Sequence, residues 1–288
     1  MGAAIDPDQF LLIIGSAKSG TTSLFEYLRQ HPAVCPSVIK EPEYFSKHQM
    51  HPRHVRRYED LWPDFDSAVH RYALEGSTGY TKWPVENGVA ERMRAYGIRP
   101  RLIYLVRDPV ERIESHVNYI RITSRRRITF EDSYPIDVSR YATQIAPFVE
   151  VFGREAIRVL DFAHLRADPY QVCDDLHAWL GLEPHTIADP RVFNETESLK
   201  RSHLDRVLVA DSVTIRRTRR VLPPVARRLT KKVATRLVPY RHKRMRISSE
   251  RARQVRELLR EDVDRLAAEW GMDVSPWGFD NATHRDTD

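Results

Sequence analysis

One stretch near the start constrains this chain more than any other: residues 10–29 read Phe-Leu-Leu-Ile-Ile-Gly-Ser-Ala-Lys-Ser-Gly-Thr-Thr-Ser-Leu-Phe-Glu-Tyr-Leu-Arg. The apolar run Phe10 to Ile14 has the length of a strand buried on both faces, and Gly15 and Gly20 punctuate the turn behind it. Apolar residues then resume at helical spacing at Leu24, Phe25 and Leu28. Strand, small-residue turn and helix make an anion cradle. The first N–H groups of a helix have no intrahelical partner, and the helix dipole adds to their attraction for negative charge.

The place of the lysine decides what kind of cradle this is. An ATP loop of the form G-x-x-x-x-G-K-S/T puts lysine directly after the second glycine; here Thr21 fills that slot and the lysine has moved back to Lys18. Lys18-Ser-Gly-Thr-Thr-Ser23 resembles instead the 5′-phosphosulfate loop of sulfotransferases that use 3′-phosphoadenosine 5′-phosphosulfate (PAPS). Further on, Leu102 to His116, which contains Arg-Asp-Pro at 107–109, resembles the 3′-phosphate segment of the same enzymes. The likeness is to the heparan sulfate and related bacterial carbohydrate sulfotransferases and runs over roughly residues 10–277.

The resemblance implies roles for particular residues. Lys18 would neutralise charge on the bridging oxygen as the S–O bond breaks, a preorganised electrostatic role. Ser19, Gly20, Thr21, Thr22 and Ser23 would hold the 5′-phosphate, and Arg107 and Ser115 the 3′-phosphate. For Arg107 the residues alone allow another reading, an ion pair with Asp108 or Glu111 at a helix start. Glu41, opening Glu41-Pro-Glu-Tyr-Phe45, corresponds to the family's catalytic base; Glu43 stands where some relatives have His and is the rival base. Lys200 and Arg201 resemble a late basic loop that folds over the nucleotide. Some heparan sulfate enzymes have lysine directly after the glutamate corresponding to Glu75; here it is Gly76, so no second catalytic cation carries over. The implied reaction moves the sulfuryl group of PAPS to a hydroxyl of a carbohydrate, glycolipid or small metabolite, with 3′-phosphoadenosine 5′-phosphate (PAP) as product and no metal.

The remaining pattern is strands alternating with helices. After His31-Pro32 ends the first helix, Val34 to Phe45 reads as loop. Tyr72–Glu75 follows as a short strand, then a helix from Pro84 to about Tyr96. Arg101–Val106 is a strand running into a helix opened by Pro109 that carries Val110, Ile113 and Val117 on one face. Tyr141–Phe152 is a helix, Ile157–Asp161 a strand, Pro169–Leu180 a helix stopped by Gly181, and Ser249–Trp270 a last helix before Gly271. This order predicts an α/β, three-layer P-loop-type fold, a central parallel sheet flanked by helices with ligands beyond the strand carboxyl ends. The chain is read as a single domain over 1–288, with a basic helical segment 204–248 and the helix 249–271 as parts of it.

Composition narrows the classes. Across 288 residues, 41% hydrophobic and 30% charged, no apolar run approaches the eighteen or so residues of a membrane span. No signal peptide is expected, and Asp6 stands where a myristoylation motif after Gly2 requires Ser or Thr. Cys35 and Cys173 fit a reducing cytoplasm. His48, His51, His54 and His70 are scattered without metal-ligand spacing. The net charge of +6 arises from residues 216–246, a run of Arg and Lys without one acid. That run reads as a solvated face or a peripheral contact with an anionic membrane, with no specific nucleic acid expected. Two rival functions remain: a P-loop kinase or other NTPase, and a non-enzymatic nucleic-acid or membrane-surface protein.

Overall fold

The computed structural model describes residues 5–47, 55–123, 128–190 and 244–279. Five strands, β1 (Phe10–Gly15), β2 (Val34–Pro36), β3 (Tyr72–Gly76), β4 (Arg101–Val106) and β5 (Ile157–Asp161), form one sheet in the order β2-β3-β1-β4-β5. Every pairing is parallel, with Leu11 opposite Leu74 and Leu12 opposite Leu102. The helices are α1 (Thr21–Leu28), α2 (Val89–Tyr96), α3 (Pro109–Thr123), α4 (Ser133–Asp137), α5 (Tyr141–Phe152), α6 (Phe162–Ala167), α7 (Pro169–Leu180) and α8 (Ser249–Trp270). Among the described residues no helix is long and apolar enough to cross a membrane.

The strand period of two divides the core into two layers. Phe10, Leu12 and Ile14 of β1 join Leu102, Tyr104 and Val106 of β4 on the face covered by α2, α3, α5 and α8. Leu11 and Ile13 join Ile103, Leu105, Phe25 of α1 and Leu176 of α7 on the other. Each such fully buried side chain stabilises the fold by about 1.5–3 kcal/mol. The anticipated face of α3 is also in place, since Val110, Ile113 and Val117 are all buried.

The expected limits of β4, α5, β5, α7 and α8 agree with the structure, and Ser248 caps α8 by accepting the Arg251 N–H. Three expectations need correction. Val34–Pro36, read as loop, is the edge strand β2; flanking prolines hide it, but an edge tolerates a residue without an N–H. The helix expected from Pro84 starts at Val89. Gly88 takes a left-handed φ of 66°, and Trp83 is held by Gln144 through two 2.9 Å hydrogen bonds. The short helices α4 and α6 were not anticipated. Of the basic segment, residues 204–243 lie outside the described residues, and 244–248 is not helical.

β1 and β4 are neighbours whose following connections lead to opposite edges of the sheet, β1 to β2 and β4 to β5. That is a topological switch point, where the carboxyl ends of parallel strands leave an open crevice.

Candidate functional site

The cradle occupies this crevice. Gly15 ends β1 at a φ of 155°, where a side chain would collide with Thr81 Oγ1 and lie 2.8 Å from the Tyr104 ring. The Ser16 N–H donates to the Leu105 carbonyl (2.8 Å), and the Ser16 and Ser19 hydroxyls share a 2.7 Å hydrogen bond. Gly20 precedes α1 at a left-handed φ of 85°, and a Cβ there would meet Phe162 at 2.5 Å. Both glycines are therefore required by shape as well as by backbone freedom. Thr21, Thr22 and Ser23 form the first turn of α1 and carry its outward N–H groups.

Lys18 stands on the loop with a φ of 74°, its Nζ 4.4 Å from the centroid of the Tyr119 ring on α3. Burial, and next the charge of Arg107, lower its pKa to about 8, while Glu41 acts in the opposite direction. A partly desolvated ammonium of this kind is poised to gain from an incoming anion.

Arg107 follows β4 and reaches the same loop, donating from Nη1 to the Lys18 carbonyl at 3.3 Å. Its guanidinium also lies over Phe162 at 5.0 Å and pairs with Glu111 at 2.7 Å. The ion-pair reading of Arg107 is thus realised, and a phosphate would have to displace the exposed Glu111 carboxylate. Asp108 does not pair with Arg107; it caps α3, accepting the Val110 and Glu111 N–H groups at 2.7 and 3.0 Å. Ser115 is buried on α3, three residues after Arg112 and four before Tyr119. Since Arg112 donates to the Ala17 carbonyl and Tyr119 faces Lys18, Ser115 lies on the cradle side of the helix.

Glu41 and Glu43 come from the segment beyond β2. The Glu41 N–H donates to the Gly76 carbonyl (2.9 Å), fixing the loop to the end of β3, and its exposed carboxylate pairs with Lys40 at 3.0 Å. Glu43 points inward. Its Oε1 accepts the Gly79 N–H at 2.8 Å, its Oε2 is buried without a partner, and burial raises its pKa to about 7. Glu75 is fully buried and accepts from the Tyr58 and Tyr80 hydroxyls at 2.5 and 3.1 Å; burial raises it to about 7 as well. Position 76 faces α1, where a Cβ would lie 3.4 Å from Phe25.

Lys18 to Ser23, Arg107 and the Ser115 face of α3 are brought together, and the charge of Glu41 reaches Lys18. Lys200, Arg201, His48, His51 and His54 lie outside the described residues. Three contributors were missed in the sequence: Tyr119, Phe162 and Arg112. Arg112 is completely buried, donating to Ser139 Oγ (2.9 Å), the Pro135 carbonyl (2.5 Å) and the Ala17 carbonyl (3.3 Å). Its spacing with Ser115 and Tyr119 on one helical stripe was the available signal. The described end of the basic run also docks here: Arg244 and Arg246 each pair with Glu114 of α3 at 3.2 Å.

Comparison with known proteins accords with this geometry. Mouse bifunctional heparan sulfate N-deacetylase/N-sulfotransferase 4 is 24% identical over 198 residues, covering 60% of this chain and 22% of that protein. Mouse heparan sulfate glucosamine 3-O-sulfotransferase 3A1 is 28% identical over 205 residues, covering 65% and 49%. The chain therefore spans at most about half the length of these relatives. A crystal structure of a sulfotransferase from Alicyclobacillus acidocaldarius superposes with a TM-score of 0.67 at 23% identity, covering 95% of this chain and all of that one, which establishes the shared fold. The sulfotransferase domain family model matches residues 8–217, a span that takes in the cradle, Glu41, Arg107 and Ser115, and the chain belongs to that family.

Proposed function

We propose that the chain transfers the sulfuryl group of PAPS to a hydroxyl of a carbohydrate-class acceptor by a single in-line displacement. The observation that carries this reading is Lys18, a partly desolvated cation on the cradle loop, held over Tyr119 with Arg107 on its own carbonyl. The N–H groups of Thr21, Thr22 and Ser23 take the 5′-phosphate, Lys18 takes the bridging oxygen, and Arg107, released from Glu111, takes the 3′-phosphate with Ser115. Lys200 and Arg201 are assigned to the nucleotide from the motif alone. The names of the relatives, which concern heparan sulfate and glucosamine, support the acceptor class.

Glu41 is the proposed base. Its carboxylate is exposed and held only by Lys40 among the described residues, whereas Glu43 is turned against Gly79 and would have to leave that contact to reach an acceptor. The reaction needs a base on the acceptor side of sulfur, and the Glu41 loop, tied to the end of β3 across β1 from β4 and Arg107, supports that role. The test is calorimetric binding of PAP against ADP, followed by transfer of radiolabelled sulfate from PAPS to an extract of glycans. PAP should bind far more tightly and label should appear in an acceptor; equal affinities for the two nucleotides would remove Arg107 and Ser115 from the assignment.

A further inference from the structure

We propose that Tyr141 is a positioning residue for Arg107, its hydroxyl holding the Arg107 carbonyl so that the guanidinium is set to meet a 3′-phosphate, and that Asp262 of α8 places Tyr141. The inference rests on the assignment of Arg107 to the 3′-phosphate and adds two residues, from α5 and α8, that act through it.

Arg107 stands just past β4, and Asp108 behind it already caps α3. The Arg107 carbonyl therefore belongs to neither the strand nor the helix, and its partner has to come from elsewhere. That partner is the Tyr141 hydroxyl, which donates to it at 2.7 Å from the first residue of α5. The bond fixes the peptide plane between Arg107 and Asp108, and with it the backbone from which the Arg107 side chain departs toward the Lys18 carbonyl and the Phe162 ring. A carbonyl oxygen turned toward the crevice instead would set negative charge beside an incoming phosphate.

Tyr141 is itself held in place. Its side chain is completely buried and packs against the Tyr104 ring and, beyond α8, the Trp277 ring, each at 6.2 Å between centroids. Its backbone opens α5 where the chain offers no local cap: Arg140 occupies the cap position and makes no side-chain bond to the first turn. Asp262 serves that turn from α8. Its Oδ1 accepts the Ala142 N–H at 3.0 Å, and its Oδ2 accepts the Thr143 N–H at 2.9 Å and the Thr143 hydroxyl at 2.7 Å. Asp262 lies among the buried residues of α8 with Val255, Leu259, Val263 and Leu266, where a carboxylate is unfavourable unless its oxygens are hydrogen-bonded. Both oxygens are taken up by the start of α5. One line of contacts thus runs from α8 through the first turn of α5 to Tyr141 and the Arg107 carbonyl.

The readout is the ratio of PAP to ADP affinity by calorimetry, with thermal unfolding as a check on folding. Tyr141→Phe removes one hydroxyl and should weaken PAP about fivefold while ADP stays within about twofold. Asp262→Asn, which keeps shape but can accept at one oxygen only, should narrow the ratio in the same direction and by less. Tyr72→Phe is the matched control: it loses a buried hydroxyl that donates to another backbone carbonyl, that of Leu180 at 3.0 Å, and should lose stability alone with the ratio intact. In an Arg107→Ala background Tyr141→Phe should not weaken PAP further, because groups that act through one another are not additive. A wild-type ratio in Tyr141→Phe, equal weakening of both nucleotides, or additive losses in the double variant overturns the inference while the Arg107 assignment stands; a wild-type ratio in Asp262→Asn overturns the part played by α8. If wild type binds the two nucleotides equally, or Arg107→Ala keeps the preference, the Arg107 assignment fails and the inference goes with it.

Discussion

The cradle side of the crevice and the side proposed for the acceptor are built by opposite means. The first is made where regular elements meet, β1 with α1 and β4 with α3, and the strand and helix periods aim its groups. The second is made of connecting segments, residues 37–47 and 77–86, held by buried carboxylates. Glu43 accepts from Gly79, and Glu86 accepts from the Ser46 hydroxyl (2.5 Å), the Lys47 N–H (2.9 Å) and Arg92 (2.5 Å). Arg92 in turn donates to the Phe45 carbonyl at 2.6 Å. A phosphate requires several N–H groups in fixed directions, which a helix start supplies. An acceptor surface requires an irregular contour, and buried side-chain acceptors there replace the ladder bonds that the backbone lacks.

If the two sides are separable, a change on one should spare the other. The largest expected effect is that of Glu41→Gln, which keeps shape but removes the proposed base. Sulfate transfer should fall by roughly 10²–10⁴-fold with PAP affinity nearly intact, while Glu43→Gln does much less; reversed phenotypes would move the base to Glu43. Next is Lys18→Ala, expected to lower turnover on the order of 10²–10³-fold. Because the free Lys18 has a pKa near 8, lowered chiefly by burial, wild-type affinity for PAPS should also decline as pH rises above that value. A pH-independent affinity between 7 and 9.5 would detach Lys18 from the anion. Arg107→Ala should weaken PAP about tenfold to a hundredfold, less than a fully buried ion would, because Glu111 already shares the guanidinium; ADP affinity should not change.

The smallest effect concerns stability. Burial raises Glu43 from 4.5 to about 7, so the folded protein keeps a proton there that the unfolded chain releases. Its contribution to stability is full below about 4.5 and is lost as pH rises through about 7. Glu75 adds to the same trend. Urea midpoints between pH 5 and pH 8 should therefore fall, and the fall should be shallower in Glu43→Gln. An identical slope in the variant would show that Glu43 is not protonated in the folded state.

What was legible in the sequence follows the same division. Hydrophobic period and helix punctuation located β1, β4, β5, α5, α7 and α8, because burial on both sheet faces leaves continuous apolar runs and Gly181 and Gly271 stop their helices. Lys18 and Arg107 were legible because each abuts a regular element. The inward turn of Glu43, the phenol pair on Glu75 and the tie from Arg112 to Ala17 were not. They depend on contacts between segments distant in the chain, and no local period records them. The strand Val34–Pro36 was missed for a related reason: three residues, the last a proline, show no alternation to read.

Among the described residues the non-glycine positions with positive φ are Lys18, Glu41 and Glu43, at 74°, 58° and 54°. Left-handed backbone at a residue with a side chain costs of order 1–3 kcal/mol, and glycine would relieve it at each site. A library selected for heat resistance alone should therefore drift toward glycine at codons 18 and 41, while the contact of Glu43 with Gly79 resists that drift at codon 43. If the proposed roles of Lys18 and Glu41 hold, selection for turnover has to work against that drift, which makes glycine content at positions 18 and 41 a readable record of which pressure a lineage of such proteins has experienced.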